Sequence, residues 1–171
     1  MKQLAIILRA IPGSGKSTFA AKLKQSAEAV GLTCAVHSSD EKFMIDGKYC
    51  FDFAKLGQYH RQNLYDFTVS MSNHINIVIC DNTNVKVSDC RPYVDIAKEA
   101  GYSTATVSFI PETAELHFSR NVHDVPLDVI QAKIDAFQVQ VEGVDEQYTM
   151  PTTDGAIDSE YCAMLIAGIL G

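Results

Sequence analysis

The segment Arg9-Ala10-Ile11-Pro12-Gly13-Ser14-Gly15-Lys16-Ser17-Thr18 is built to hold phosphate. It follows an apolar run of strand length, Leu4–Leu8, and opens a helical pattern that runs from Ser17 to Val30 and stops at Gly31. The spacing fits G-x-x-x-x-G-K-[ST] except that Ala10 stands where the first glycine belongs. Gly13 and Gly15 let the backbone curl so that successive N–H groups face an anion, and the helix adds its positive end at the same point. Pro12, Gly13, Ser14, Gly15, Lys16, Ser17 and Thr18 are therefore the expected binding loop for ATP. Lys16 supplies a mobile charge for the β- and γ-phosphates, and the Ser17 hydroxyl supplies a ligand for Mg²⁺.

Two carboxylates follow other apolar runs. Asp81 closes Ile77-Val78-Ile79-Cys80, the arrangement in which an acid holds Mg²⁺ directly or through water. Asp40 lies just beyond a strand-like stretch at Thr33–His37, where it can accept the proton of an attacking hydroxyl; the adjacent Glu41 is an alternative. A transferring phosphoryl group needs more positive charge than one lysine. Of the four arginines, Arg9, Arg61, Arg91 and Arg120, the last ends a predicted helix beside a loop and is the candidate lid residue. Arg61 either reaches an acceptor phosphate or faces solvent, and Tyr49, Phe51 and Phe53 either stack a base or anchor a loop. The five histidines show no metal-ligand spacing; they read as surface or packing residues, with His123 a possible contributor to lid order. No Asn-Lys-x-Asp element of the GTPases is present.

The elements that must position these groups alternate. Strand patterns at Leu4–Leu8, Thr33–His37, Ile75–Cys80 and Tyr102–Phe109 are separated by helical ones at 17–30, Ser88–Ala100, Pro111–Arg120 and Pro126–Val139. Leu56, Tyr59, Leu64, Phe67 and Met71 predict one buried helical face. Such alternation predicts a single α/β domain over residues 1–171, a parallel sheet with helices on both faces, and a ligand at the carboxyl ends of its strands. Residues 142–160 hold six acids and no base, and Glu160–Leu170 reads as an apolar helix packed on the body or meeting a second subunit.

The net charge of −7 is uneven: residues 1–61 carry nine basic and five acidic side chains, residues 62–171 five and sixteen. That balance excludes broad coating of a nucleic-acid duplex but permits local capture of one strand end. No apolar run is long enough to span a bilayer or serve as a signal peptide, and five cysteines without C-x-x-C spacing suit reduced thiols; a cytoplasmic protein is expected.

LRAIPGSGKSTFAAKL, SSDEKF, FDFAKLGQYHRQN, ICDNTNVKVSDCRPYVDIAKEAGY and FSRNVHDVPLDVI, in this order, resemble the P-loop polynucleotide 5′-hydroxyl kinases of the phage type and the related zeta-toxin-like kinases over about residues 4–140. The resemblance implies Mg²⁺- and ATP-dependent phosphorylation of a hydroxyl, in that family the 5′-hydroxyl of DNA or RNA. It assigns Lys16 and Ser17 to ATP phosphate and Mg²⁺, Asp40 to the general base, Asp81 to the acid after the third strand, and Arg120 to the edge of the lid. Phe43 departs from the family, which has an acceptor-binding arginine there, and no second arginine stands between Arg120 and Pro126. A kinase for a nucleoside, nucleotide or sugar and a nucleotide-binding module without turnover are the alternatives. Oligomeric state and the choice between ATP and GTP stay open.

Overall fold

In the computed structural model, which describes residues 3–152, 161–162 and 165–167, every residue of the N-terminal apolar run is buried. In chain order the elements are β1 (Leu4–Arg9), α1 (Lys16–Ala29), β2 (Cys34–His37), a 3₁₀ turn (Asp40–Phe43), β3 (Met44–Ile45), β4 (Lys48–Tyr49), α2 (Phe53–Ser72), β5 (Ile77–Cys80), α3 (Val87–Glu99), β6 (Ser103–Ile110), α4 (Ala114–Arg120), α5 (Leu127–Asp135) and β7 (Glu146–Pro151). Five strands form one parallel sheet in the order β2-β5-β1-β6-β7, and β3 and β4 pair as a separate antiparallel hairpin. This is an α/β fold with a parallel sheet flanked by helices.

Alternation along β1 divides the core. Leu4, Ile6 and Leu8 pack with Phe19, Leu23 and Ala27 of α1, while Ala5 and Ile7 pack with Phe67 and Met71 of α2 and Tyr93 and Val94 of α3. Each large side chain withdrawn from water in this way contributes roughly 1.5–3 kcal/mol. A third, smaller cluster of Ile11, Val85, Ala114 and Ile130 seats α4 and α5 beside the loop after β1.

Three sequence expectations change. The acidic stretch contributes β7, an edge strand with no strand prediction of its own. Only Met150 is buried in it, so backbone pairing to β6 rather than side-chain burial makes the strand. Asp145 fixes its entry by accepting from the backbone N–H and hydroxyl of Thr104 at 2.7 and 3.0 Å. The helix expected to reach Val139 ends at Asp135, because tertiary partners take the following backbone: Gln138 donates to the Val85 carbonyl, and the Val139 carbonyl accepts from Arg9. On α2, Phe67 and Met71 are buried, whereas Leu56, Tyr59 and Leu64 are half-buried. Cys162, Leu165 and Ile166 of the predicted C-terminal helix join the α1 side of the core, with Tyr161 packed against it; residues 153–160, 163–164 and 168–171 lie outside the described residues. Among the described residues no helix is long and apolar enough to cross a membrane, and all five cysteines are free.

Arg9 ends β1 wholly buried. Its guanidinium donates to the carbonyls of Asn84, Val85 and Val139 at 3.1, 3.1 and 2.9 Å and to Ser108 Oγ at 3.3 Å, and it lies 5.0 Å from the Phe137 ring centroid. Arg9→Met should therefore lower unfolding free energy in urea by roughly 3 kcal/mol or more, since buried carbonyls lose a charged donor. A loss below about 1 kcal/mol would show that the surrounding segments hold without it.

Candidate active site

The loop after β1 turns at Gly13 (φ 80°) and Gly15 (φ 84°), and Gly15 caps α1. Both positions need the left-handed region that glycine enters freely. Gly13 has a second reason to lack a side chain: a Cβ there would lie 2.3 Å from the carbonyl oxygen of His117. Ala10 is buried without positive φ, and its N–H donates to the Thr83 carbonyl at 2.8 Å, so the methyl is absorbed into the core.

His117 braces the loop from α4. Its Nε2 accepts from the Glu112 N–H at 3.1 Å, which leaves Nδ1 to donate to the Pro12 carbonyl at 3.0 Å. That arrangement requires the neutral ring, and burial lowers its pKa accordingly. Pro12 thus serves through its carbonyl and shape, having no N–H to offer an anion.

Lys16, the first residue of α1, is buried and forms an ion pair with the Asp81 carboxylate; it also donates to the Asp81 carbonyl at 3.0 Å. An ammonium has three donors, so one N–H stays uncommitted among the described residues. Asp81 sits at the end of β5, its N–H donating to the His37 carbonyl at the end of β2. The two strands leave the sheet side by side, and their next residues are tied together. Ser39 N–H donates to Asn82 Oδ1 at 2.8 Å, while Asn82 Nδ2 reaches the Tyr93 hydroxyl at 3.1 Å. Asn82 therefore holds the Asp40 segment against the Asp81 segment. Asp40 opens the 3₁₀ turn half-buried, with the Tyr49 hydroxyl 3.5 Å from Oδ1. Burial and the Asp40 charge push the Tyr49 hydroxyl up to about 12, so it stays a donor.

Arg120 ends α4 where that helix crosses the loop: the N–H of the following Asn121 would lie 3.2 Å from a Cβ on Gly13. Asn121 folds the next residues by donating to the Val125 carbonyl and accepting from the His123 N–H, both at 3.0 Å. His123 stacks on Tyr49 with ring centroids 4.1 Å apart, linking the segment after α4 to the hairpin beside Asp40. Ser14 Oγ, Arg120 Nη1 and His123 Nδ1 are buried polar atoms without a hydrogen-bond partner among the described residues. Two of them belong to the loop and to the arginine beside it, and buried groups of this kind are normally satisfied. They fit a bound polyanion.

Other candidates stand apart from this set. Ser17 and Thr18 are exposed in the first turn of α1. Phe43 is buried among Tyr49, Phe51 and Tyr59, so it anchors the hairpin instead of facing an acceptor, and Phe53 is exposed. Lys42 pairs with Asp66 at 2.5 Å. The buried thiols of Cys34 and Cys80 are pushed up to about 12 by desolvation and are poor nucleophiles. The sequence reading missed Asn82 and the bracing role of His117, and it left Tyr49 between base stacking and loop anchoring. Asn82 carried a faint signal, lying next to Asp81; nothing local marks the other two.

The model of the AAA domain family matches residues 6–142. The chain belongs to the AAA domain family. Human NEDD4-binding protein 2 is 31% identical over 139 residues, a match that spans 78% of this chain and 8% of that protein. A candidate kinase from Chloroflexus aurantiacus superposes with a TM-score of 0.72 at 15% identity, covering 100% of both chains. Kti12 of Chaetomium thermophilum, solved with ADP-AlF3, gives 0.69 at 15% identity, covering 98% of this chain and 99% of that one. At such identities the structural likeness establishes the fold, and this AAA-domain chain has that of the P-loop kinases.

His117 gives the domain a pH signature. The unfolded ring, with a pKa near 6.5, binds a proton that the folded ring resists. Its contribution is therefore complete above about pH 6.5 and is lost as pH falls through the lower folded value. Thermal unfolding of the parent should weaken more between about pH 7.5 and pH 5.5 than that of His117→Gln; equal slopes would remove His117 as the group responsible.

Proposed function

We propose that this chain is a Mg²⁺- and ATP-dependent kinase that transfers the γ-phosphoryl group to a hydroxyl, preferably the 5′-hydroxyl of a polynucleotide, with residues 1–171 as one catalytic unit acting in the cytoplasm. The observation that carries the reading is the meeting, at one edge of the sheet, of the Lys16–Asp81 pair, the Asp40 segment tied to it through Asn82, and the unpartnered donors of Ser14 and Arg120. The ADP-AlF3 held by Kti12 supports a nucleotide on the same fold. The sequence resemblance to polynucleotide kinases supports the acceptor.

In this reading the N–H groups from Gly13 to Thr18 and the uncommitted N–H of Lys16 hold the β- and γ-phosphates. Ser17 and Asp81 would hold Mg²⁺, which when bound neutralises charge on those phosphates. Asp40 accepts the proton of the acceptor hydroxyl as its oxygen bonds to the γ-phosphorus and the bond to the bridging oxygen of ADP breaks. Tyr49, held protonated, keeps the Asp40 carboxylate directed. Arg120 stabilises the charge that spreads over the transferring oxygens.

Incubation with γ-labelled ATP and Mg²⁺, offering 5′-hydroxyl oligonucleotides beside nucleosides and sugars, tests this directly. Label is expected in the oligonucleotide. Label in small acceptors alone would replace the polynucleotide by a small-molecule substrate, and none in any acceptor would leave a nucleotide-binding module. Asp40→Ala should reduce transfer by about 10²-fold or more while ATP affinity stays near the parental value. Parental transfer by that variant would remove Asp40 as the base.

A further inference from the structure

Beyond the phosphate loop, a cleft of about 700 Å³ opens between α2, α3 and α5. That volume is in the range of ligand sites. Its wall begins at Asn82, the residue after Asp81, and at His60, whose Nδ1 lies 2.9 Å from the Ser39 hydroxyl. The cleft is thus continuous with the segment that carries Asp40.

Three cations line it from three separate elements: Arg61 of α2, Lys86 before α3, and Lys133 of α5. None is in an ion pair with a described residue. Asp89 is the acid in the lining, and it accepts the Lys86 backbone N–H at 3.0 Å. In a chain of net charge −7, three unpaired cations converging on one cleft beside the reaction centre mark a surface for an anion. A small acceptor held at Asp40 leaves them without a role. A strand whose terminal hydroxyl lies at Asp40 carries its following phosphates into the cleft.

We infer that the Arg61–Lys86–Lys133 cleft binds the phosphodiester backbone of a single-stranded acceptor, downstream of the hydroxyl that is phosphorylated. The inference rests on the polynucleotide reading above and adds the path of the strand. It names residues remote from the ATP loop, contributing electrostatic tracking rather than base readout.

The test is equilibrium binding of a 3′-fluorescein-labelled octanucleotide with a free 5′-hydroxyl, followed by anisotropy across a salt series. Three neutralised phosphates on a single strand give a log–log slope of about −2, so affinity should fall roughly 15–20-fold between about 50 and 200 mM salt. The variant Arg61→Gln/Lys86→Gln/Lys133→Gln should flatten that slope toward zero and raise the oligonucleotide KM about tenfold or more, with kcat near the parental value. Transfer to a nucleoside 3′-monophosphate should change by less than about threefold. Lys55→Gln/Lys98→Gln, which removes two cations outside the cleft, should keep the parental slope. An unchanged slope in the triple variant, or no binding by the parent, overturns the inference. The kinase reading fails separately, on the absence of label from γ-labelled ATP in every acceptor offered.

Discussion

The guanidinium of Arg9 is the interaction on which the edge of the sheet depends. A buried cation is costly unless its donors are filled, and here backbone carbonyls from two segments and a serine hydroxyl accept from them. The carbonyls belong to the turn after β5 and the segment after α5, and the residue itself stands directly before the phosphate loop. One side chain therefore fixes where Asn84, Val85 and Val139 lie relative to the loop. Asn84 answers from the other direction: it adopts φ 46° and donates Nδ2 to the Leu8 carbonyl at 2.8 Å. Phosphate loop and the turn after β5 are thereby locked face to face.

On this base the chemistry divides by strand. β1 delivers the donor loop, β5 delivers Asp81 into contact with Lys16, and β2 delivers Asp40 one strand further out. Parallel strands put all three carboxyl ends on one edge, so the groups converge although they are separated by tens of residues. His117 and Asn121 then bring the end of α4 over Gly13, which sets Arg120 beside the loop, and the Tyr49–His123 stack joins the segment after α4 to the hairpin. In the proposed reaction one edge of the sheet handles anion and proton, while the acidic excess of the chain lies mostly after residue 61.

The phosphate loop was legible because its requirements are local: two glycines at positive φ, a lysine opening a helix, and an apolar strand before it. Asp81 was legible for a similar reason, as the polar end of an unbroken apolar run. β7 was not, because an edge strand can be made by backbone pairing alone and buries only Met150. The early end of α5 was invisible for the opposite reason: its helical pattern is sound, but carbonyl and amide partners elsewhere in the fold outcompete the helix. Phe43 read as a lost acceptor contact, whereas burial among three aromatic rings gives it a packing duty.

By itself the sequence determined the fold class and the phosphate loop, and it supplied the acids and the arginine proposed for phosphoryl transfer, since periodicity and turn chemistry act within a few residues. Only the tertiary structure decided which of them meet. It paired Lys16 with Asp81, tied Asp40 to that pair through Asn82, set Tyr49 against Asp40, and gathered Arg61, Lys86 and Lys133 around one cleft. Those partners lie far apart in the chain, and hydrogen bonds and charges act over a few ångströms of space, whatever the number of residues between.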